Sequence, residues 1–307
     1  MDNDDVIITS AFRTAIGSFN GSLSSKTAPE LGSTVIKKCI ENSELKKEEV
    51  DMVYMGQVLS AGVGQNPARQ ASIYAGLPNT TTNTTINQVC GSGLASIALA
   101  YNSIRCGDGN IIIAGGQESM SNAPHYIKLR KGEKVNEDKI KDTMIIDGLW
   151  DVYNEYHMGM TAENVAKKFN IKRQDQDKFA LNSQEKAIKA IKEKKFINEI
   201  VPVEINNNIY FEQDEHPREN TSIEKLSELK TVFKKDGTVT PGNSSGINDG
   251  AAAVCLMTFE NVKKKKIKPL AKIVSWAQCG VDPSIMGTGP IPASKLALKK
   301  AGWDIKE

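Results

Sequence analysis

The N-terminal part of the chain alternates between short segments that are typical of strands and segments with helical spacing. Four segments predict strands: "DVIITSAFRT", "VDMVYMGQVLS", "TTNTTINQV" and "GNIIIAGGQES". Between them, "PELGSTVIKKCIENS" places Leu31, Val35 and Cys39 on one side of a helix, and Asn66 with Pro67 opens a second helix, "NPARQASIYAGL". Strands and helices that alternate with short connections predict an α/β fold with a mostly parallel sheet, covered on both faces.

From about Ser121 to Thr238 the sequence becomes charged and rich in lysine, and it contains no strong buried strand. Within it, "TAENVAKKF" and "RQDQDKFALNSQEKAIKAIKEKKF" predict helices, and we interpret the whole segment as an insertion. The run "AAAVCLMTF" then predicts another strand, and "KPLAKIVSWAQCG" begins a further one. The lysines from Lys263 to Lys266 separate these two strands, which indicates either a domain junction or a solvated turn.

The segment that follows Cys90 predicts a helix as far as about Arg105. Its apolar residues occupy most of the circumference, and a helix of this kind is covered on several sides. One sheet would leave its far face bare, so we expect the helix to lie between two sheets. The apolar residues are Leu94, Ala95, Ile97, Ala98, Leu99, Ala100 and Ile104.

Composition is that of an ordinary globular protein. The chain has 307 residues, 39% of them apolar and 25% charged, and its net charge of +2 gives no reason to expect nucleic acid or an anionic membrane as a partner. Five widely spaced cysteines without a C-x-x-C pair argue against a disulfide framework or a zinc site and predict a reducing compartment. The acidic start "MDNDDVIITS" and the absence of long apolar runs predict a cytoplasmic protein.

Cys90 stands in "INQVCGSGLASIALA", where a predicted strand meets a predicted helix. Peptide N–H groups and the dipole at a helix start stabilise a thiolate, which is the form of cysteine that attacks an electrophile. Gly91 and Gly93 permit a sharp turn that brings backbone N–H groups near a substrate oxygen, as an oxyanion hole requires. A buried cysteine beside helix-capping glycines explains the same residues. The segment alone leaves nucleophile and core filler open, and the other four cysteines look structural.

Six segments in the same order resemble the thiolase family, especially its short-chain biosynthetic branch: "RTAIGSFNGSL", "NQVCGSGLASI", "AGGQESMSNAPHY", "YHMGMTAENVA", "GTVTPGNSSGINDGAAA" and "MGTGPIPA". The resemblance implies the layered α/β/α/β/α thiolase fold, in which two similar sheet domains share central helices and a loop domain is inserted in the first. We therefore expect an N-terminal thiolase domain in residues 1–120 with 250–267, the loop domain in residues 121–249, and the start of an incomplete C-terminal domain in residues 268–307.

The same resemblance implies that Cys90 takes an acetyl group from a CoA thioester, and it places seven further residues at the substrate site. Without the family, each has a plainer explanation as a core residue or a surface charge. The implied residues are Leu149, His157, Met158 and Met286 beside the pantetheine and acyl group, Phe233 and Ser245 along the CoA channel, and Arg218 at the nucleotide end of CoA.

Three motifs of the family are absent from residues 1–307: a Gly-His-Pro histidine that activates the cysteine, a Cys-x-Gly second cysteine and an Asn-Glu-Ala-Phe water site. His125, His157 and His216 do not replace the first, and Cys106 and Cys279 lack the pattern of the second. We therefore expect the C-terminal part and most of the second sheet domain to be missing, together with part of the catalytic machinery.

By resemblance, the reaction is the condensation of two acetyl-CoA to acetoacetyl-CoA and CoA, or its reverse, through an acetyl-cysteine. No metal or redox cofactor is needed, because CoA carries the reacting group. A homodimer or homotetramer is implied, since Ser121 to Lys141 resembles the segment that joins dimers in tetrameric thiolases. Two alternatives remain: a catalytically silent CoA-binding or assembly module, and a β-ketoacyl-synthase-like condensing enzyme, which fits "YHMGMTAENVA" less well.

Overall fold

A computed structural model of the protein describes residues 2–132 and 134–306. In chain order its strands are β1 Val6–Thr14, β2 Gly17–Ser18, β3 Met52–Gly56, β4 Thr82–Ile86, β5 Ile111–Ser119, β6 His125–Tyr126, β7 Lys141–Asp142, β8 Trp150–Asp151, β9 Tyr156–His157, β10 Ile200–Val201, β11 Val203–Asn206, β12 Ile209–Phe211, β13 Asn248–Thr258 and β14 Ala271–Lys272.

The α-helices and shorter helical turns lie between these strands, and the predicted helices before and after Cys90 are all confirmed. The α-helices are α1 Ala28–Asn42, α2 Pro67–Tyr74, α3 Ser92–Cys106, α4 Met158–Lys168, α5 Arg173–Lys192, α6 Ile223–Ser227, α7 Phe259–Lys265 and α8 Pro290–Ala301. The 3-10 turns are Lys47–Glu49, Met120–Asn122, Glu137–Lys139 and Pro283–Thr288, and Met144–Leu149 is a π-helix. Among the described residues, no helix is both long enough and apolar enough to cross a bilayer.

The chain divides into two compact units. Unit 1 includes parts of the predicted insertion, so the two units do not coincide with the domains expected from the sequence. The expected domain boundaries remain a prediction. Unit 1 comprises Met1–Gly148, Ile197–His216 and Ile247–Ile273, and unit 2 comprises Leu149–Phe196, Pro217–Gly246 and Val274–Glu307.

Unit 1 is built on a mixed sheet with the strand order β10-β1-β13-β5-β3-β4, to which β14 adds on β1 and β2 on β13. The prediction of a mostly parallel sheet holds for β10, β1, β5, β3 and β4, which all run in one direction. It did not include β13, which lies between β1 and β5 and runs antiparallel to both. Ser119 ends β5 and pairs with Asp249 near the start of β13. The chain therefore leaves β5 and enters the neighbouring strand β13 at the same end of the two strands. An apolar run identifies a strand but carries no information on its direction.

Successive side chains of a strand point to opposite faces of a sheet, and the two faces of this sheet carry different helices. Ile111 and Ile113 belong to a buried cluster with Leu31 and Val35 of α1. Ile112 and Ala114 belong to a second cluster with residues of α3, among them Ala100 and Ile104. On the other side of α3, Leu94 and Leu99 are 78% and 43% exposed. Within unit 1, α3 therefore packs against one sheet.

The lysine-rich segment between the last two predicted strands is not a simple turn, because most of it is helical. Thr258 caps α7 by accepting from the backbone N–H of Asn261 at 3.2 Å, and Lys263–Lys265 form the last turn of this helix. Lys266 ends it in the left-handed region with φ of 55°. Positive side chains are favourable at this end of the helix dipole. Beyond it, Ala271–Lys272 of the predicted strand pairs with β1.

Unit 2 is largely helical. The side chain of Arg173 at the start of α5 donates to the carbonyl of Leu226 in α6 at 2.6 Å, which fastens these two helices. Asn164 of α4 donates to the carbonyl of Ser284 in the 3-10 turn at 3.0 Å. A short hairpin pairs β8 with β9, with Trp150 opposite His157. The hairpin leads directly into α4.

Candidate active site

Cys90 lies in a tightly wound turn between β4 and α3. The backbone N–H of Val89 donates to the side-chain oxygen of Asn87 at 2.9 Å, and the N–H of Gly91 donates to the carbonyl of Gln88 at 3.1 Å. The hydroxyl of Ser92 accepts from the N–H of Gln88 at 2.8 Å and donates to the carbonyl of Val89 at 2.5 Å. These bonds fix the residues directly before and directly after Cys90, and Cys90 itself is exposed.

Val89, directly before Cys90, has φ of 47°. A β-branched residue in the left-handed region is an outlier that costs about 1–2 kcal/mol. Such strain persists only where the surroundings impose it, and it concentrates at active sites and ligand clamps. The strain at Val89 therefore favours a functional role for the turn over a simple helix cap.

Strand β3 comes very close to the start of α3. A Cβ added to Gly56 would lie 2.5 Å from the carbonyl carbon of Ser92 and 2.7 Å from the nitrogen of Gly93. Only glycine permits this approach, because real Cβ atoms do not come so close to backbone. On the neighbouring strand, a Cβ on Gly116 would lie 3.4 Å from the Cα of Gly93. Glycines in β3 and β5 thus let the Cys90 turn sit directly on the sheet.

Cys90 lines a cleft of about 510 Å³ within unit 1. The cleft is mostly apolar, with Leu94 and Ile97 of α3 and Phe12 of β1 among its walls. Its charged lining residues are Arg13 and Glu199. The volume falls in the range of pockets that hold small ligands.

Arg13 is held at the cleft by two carboxylates. Its guanidinium donates to Glu199 at 2.7 Å and, through two nitrogens, to Asp214 at 2.8 and 3.0 Å. Partial burial pulls the pKa of Arg13 down, but the hydrogen bonds and charges of Asp214 and Glu199 outweigh this effect and raise the pKa above its ordinary value. Asp214 also accepts the backbone N–H of Ile16 at 2.8 Å. The segment around Asp214 is therefore tied to β1.

Cys39 and Cys255 differ from Cys90 in that both are buried. Burial raises the pKa of Cys39 to about 12 and that of Cys255 to about 11. Since the thiolate is the reactive form, the raised pKa values and the burial of these two cysteines favour a structural role over a chemical one. Cys106, at the last position of α3, is exposed, and Cys279 is partly buried.

Unit 2 brings His157 and Phe233 together. Their rings are stacked with centroids 4.6 Å apart and planes at 17°. The Nδ1 atom of His157 accepts the backbone N–H of Gly159 at 3.0 Å and so caps α4. A Cβ on Gly159 would lie 2.1 Å from the ring of Phe233, so glycine is required beneath it. Burial lowers the pKa of His157, which favours the neutral imidazole.

Glu163, one turn further along α4, fastens the segment that carries Phe233. Its carboxylate accepts the backbone N–H groups of Thr238 and Val239 at 2.7 and 2.8 Å and the Thr238 hydroxyl at 3.0 Å. The side chain is buried, with Glu163 only 6% exposed. Val232 donates to the carbonyl of Val239 at 3.3 Å, which closes the loop around Phe233. One helix therefore holds both rings of the stack.

The remaining predicted residues of unit 2 lie around this stack or elsewhere in the unit. Leu149 and Met158 flank the paired residues Trp150 and His157, and Met286 lies in the 3-10 turn that Asn164 of α4 contacts. Ser245 is exposed in a segment anchored by Asn243, which donates to the buried Asp177 at 3.0 Å. Arg218 lines a separate cleft along α5, where its backbone N–H donates to Gln184 at 2.8 Å.

Sequence reasoning missed several residues on which these arrangements depend. The Gly-Ser-Gly stretch after Cys90 indicated a turn, but it gave no sign that the Ser92 hydroxyl closes the turn or that Val89 is strained. Gly56 looked like the end of an ordinary strand. Glu163 looked like a solvated charge on a helix, and no local signal connects it with Thr238, which lies 75 residues away.

The fold and the cysteine turn together define a thiolase. The model of the thiolase N-terminal domain matches residues 6–260, and that of the thiolase C-terminal domain matches residues 267–307. The chain therefore belongs to the thiolase family, as the sequence motifs predicted.

Individual relatives agree over nearly the whole chain. It is 54% identical to an acetyl-CoA acetyltransferase of Cupriavidus necator, over 97% of this chain and 77% of that protein. It is 49% identical to a cytosolic acetyl-CoA acetyltransferase of Rattus norvegicus, over 99% of this chain and 78% of that protein. The crystal structure of the Bacillus anthracis acetyl-CoA acetyltransferase has a TM-score of 0.95 and 40% identity, and the match covers 98% of this chain and 77% of that one. These matches confirm the thiolase α/β fold.

The same comparisons correct one expectation. The C-terminal part and second sheet domain were expected to be missing, on the ground that three catalytic motifs are absent. This is not borne out for residues 267–307, which the model of the thiolase C-terminal domain matches. The chain spans 77% of the length of the Cupriavidus necator relative.

Proposed function

We propose that this protein is an acetyl-CoA C-acetyltransferase that joins two acetyl-CoA to give acetoacetyl-CoA and CoA, or cleaves acetoacetyl-CoA in the reverse direction. The acetyl group is carried on Cys90. The observation that supports this most strongly is the exposed Cys90 in a strained turn, in a thiolase chain that resembles acetyl-CoA acetyltransferases over nearly all its length. A mechanism through a covalent thioester divides one difficult step into two easier ones.

In the first step, the sulfur of Cys90 attacks the carbonyl carbon of acetyl-CoA. A new carbon–sulfur bond forms to Cys90, the bond to the CoA sulfur breaks, and the thiol proton of Cys90 ends on the departing CoA. The position of Cys90 directly before α3 suits this step, because the positive end of the helix dipole stabilises negative charge that develops on sulfur or oxygen.

In the second step, a proton leaves the methyl group of a second acetyl-CoA and its α-carbon attacks the acetyl group on Cys90. A carbon–carbon bond forms, the thioester to Cys90 breaks, and the cysteine recovers a proton. The sum is two acetyl-CoA converted to acetoacetyl-CoA and CoA. Neither step transfers electrons to an acceptor, so the proposal includes no metal or redox cofactor.

In the proposal, residues of unit 2 bind the substrate. Leu149, His157, Met158 and Met286 contact the pantetheine and acyl group, and Phe233 and Ser245 line the CoA channel. The stacked His157 and Phe233 offer a flat apolar wall, which suits a thioester chain. Arg218 contacts the nucleotide end, where its exposed guanidinium is suited to phosphate.

We also propose that the protein works in the cytoplasm as a homodimer or homotetramer, and that its partners are acetyl-CoA, acetoacetyl-CoA and CoA. The cytoplasmic assignment is supported by the similarity to the cytosolic acetyl-CoA acetyltransferase of Rattus norvegicus. The basic and acidic residues nearly balance in number, 39 against 37. No excess of charge favours a nucleic acid or an anionic membrane.

The test is the replacement of Cys90 by alanine, with Cys106→Ala as the matched control. Both cysteines are exposed and they stand at opposite ends of α3. We expect Cys90→Ala to lose acetoacetyl-CoA thiolysis and to take up no acetyl group from acetyl-CoA in an intact-mass measurement. Cys106→Ala should keep both properties. Thiolysis by Cys90→Ala at the rate of the unsubstituted protein would disprove the mechanism.

A further inference from the structure

Ser92 is buried at the first position of α3, with 4% of its surface exposed. Its hydroxyl contacts the turn rather than the helix: it accepts from the N–H of Gln88 at 2.8 Å and donates to the carbonyl of Val89 at 2.5 Å. The two groups belong to the residues directly before Cys90. The hydroxyl therefore adds two side-chain bonds to the backbone bonds that Gly91 and Ser92 make to Gln88 and Val89 across the cysteine.

The bonds of the Ser92 hydroxyl help to hold a strained residue, Val89. With φ of 47°, Val89 occupies a region that a β-branched residue avoids unless neighbouring bonds hold it there. Three bonds hold it: the hydroxyl and the backbone N–H of Ser92 both donate to the carbonyl of Val89, at 2.5 and 3.0 Å, and the Asn87 side chain accepts the N–H of Val89 at 2.9 Å. If the hydroxyl is removed, Val89 loses one of the three and Gln88 loses its bond to Ser92, so the backbone directly before Cys90 is held less firmly in the strained conformation.

We propose that Ser92 is a positioning residue for Cys90, which acts by holding Val89 in its strained conformation so that the thiol is presented at the cleft. The inference rests on the proposed function, because it matters only if Cys90 is the nucleophile. Ser92 itself touches neither substrate nor the reacting sulfur. Its effect reaches Cys90 through the backbone of Val89.

A purely structural role for Ser92, as an ordinary buried hydroxyl of α3, is the competing explanation. Ser96 offers a matched control one turn along the same helix. It is also buried, and its hydroxyl lies 2.7 Å from the carbonyls of Gly93 and Gly115. Ser96→Ala removes a hydroxyl of equal burial that makes no bond to the residues before Cys90.

The first experiment compares Ser92→Ala with Ser96→Ala. The alkylation rate of Cys90 by iodoacetamide is measured by peptide mass spectrometry, together with kcat and KM for acetoacetyl-CoA thiolysis. We expect Ser92→Ala to lower both the alkylation rate and kcat about ten-fold, as the loss of a buried hydrogen-bonding partner implies, with KM nearly unchanged. Ser96→Ala should change the alkylation rate less than about two-fold, since it leaves the turn intact.

The second experiment restores the turn by another route. Glycine adopts a positive φ without steric cost, so Val89→Gly removes the strain that the Ser92 hydroxyl holds in place. In the double variant with Val89→Gly and Ser92→Ala, we expect the alkylation rate to recover at least about three-fold over Ser92→Ala alone. A structural defect in α3 would not be repaired by a change at Val89.

The outcomes separate this inference from the proposed function. If Cys90→Ala abolishes thiolysis but Ser92→Ala behaves like Ser96→Ala, Ser92 does not position the cysteine, although the nucleophile stands. If Ser92→Ala slows alkylation and Val89→Gly fails to restore it, the route through Val89 is wrong. If Cys90→Ala retains full thiolysis, the proposed mechanism fails independently of Ser92. Circular dichroism of each variant checks that the helices are intact.

Discussion

The imidazole of His157 stacks on the ring of Phe233 at 4.6 Å while its Nδ1 atom accepts the backbone N–H of Gly159 at 3.0 Å. One side chain therefore performs two tasks: it caps α4 and it forms half of an aromatic wall. The absence of a side chain on Gly159 is what allows the second ring to lie so close to the helix.

Replacement of His157 by asparagine separates these tasks. Asparagine is a good N-cap, so we expect the free energy of unfolding in urea to change by less than about 1 kcal/mol. The stack with Phe233 is lost, and KM for acetoacetyl-CoA should rise about three- to ten-fold, since aromatic pairs contribute about 0.5–1.5 kcal/mol. Phe233→Leu keeps the cap and should produce the same change in KM. Wild-type kinetics in both variants would exclude the stack from substrate binding.

The stability of α4 should depend on pH through His157. Burial lowers the pKa of this imidazole, so the unfolded chain takes up the proton first as the pH falls. The contribution to stability is therefore complete above the ordinary histidine pKa of about 6.5 and is lost as the pH falls through the lower pKa of the folded state. A protonated Nδ1 can no longer accept from Gly159. Between about pH 7.5 and about pH 5.5, the urea midpoint should fall more in the wild type than in His157→Asn. An NMR titration of His157 with a midpoint above 6.5 would contradict the expectation.

Local patterns predicted the elements of unit 1 well, because each strand and helix there has its own hydrophobic spacing. The direction of β13 was not predictable, since it depends on the place where a segment of more than a hundred residues re-enters the sheet. The candidate site was likewise predictable only in its local parts. Cys90 with its neighbouring glycines forms a local pattern, and Asn66 before Pro67 predicted the start of a helix. The bond from Thr238 to Glu163 was not predictable, because it joins residues that only the folded chain brings together.

Cys39 and Cys255, which are buried, should not react with alkylating reagents in the folded protein. Burial raises the pKa of Cys39 to about 12 and that of Cys255 to about 11, so almost no thiolate is present near neutral pH. At about pH 8, iodoacetamide should label the exposed Cys90 and Cys106 while Cys39 and Cys255 react only after unfolding in urea. Peptide mass spectrometry before and after unfolding gives the comparison. Early labelling of Cys255 would mean that the sheet opens in the native state.

Gly56 and Gly93 should respond in opposite ways to alanine, although both adjoin the Cys90 turn. A Cβ on Gly56 meets the backbone of Ser92 at 2.5 Å, so Gly56→Ala must displace either β3 or the turn and should cost about 1–3 kcal/mol. A Cβ on Gly93 has no heavy atom within 4 Å, and alanine is the better helix former by up to about 1 kcal/mol. Thermal unfolding should therefore show a lower midpoint for Gly56→Ala and an unchanged or higher one for Gly93→Ala. Equal losses in the two variants would show that the close approach of β3 is not what requires glycine.

Glu163 should control the placement of Phe233 without affecting Cys90. Glu163→Ala removes the acceptor of the N–H groups of Thr238 and Val239, and buried donors left without a partner cost about 1–3 kcal/mol. Glu163→Gln is the matched control, since the amide oxygen can accept both N–H groups while the amide nitrogen donates to the Thr238 hydroxyl.

We expect Glu163→Ala to lower the free energy of unfolding by about that amount and to raise KM for acetoacetyl-CoA, because the loop around Phe233 loses its anchor. Alkylation of Cys90 should proceed at the wild-type rate, and Glu163→Gln should lie close to the wild type in all three measurements. If Glu163→Gln loses as much stability and raises KM as much as Glu163→Ala, then the negative charge of this buried carboxylate is required, and its ability to accept hydrogen bonds is not sufficient. If KM stays unchanged in a Glu163→Ala variant with reduced stability, the loop that carries Phe233 takes no part in substrate binding.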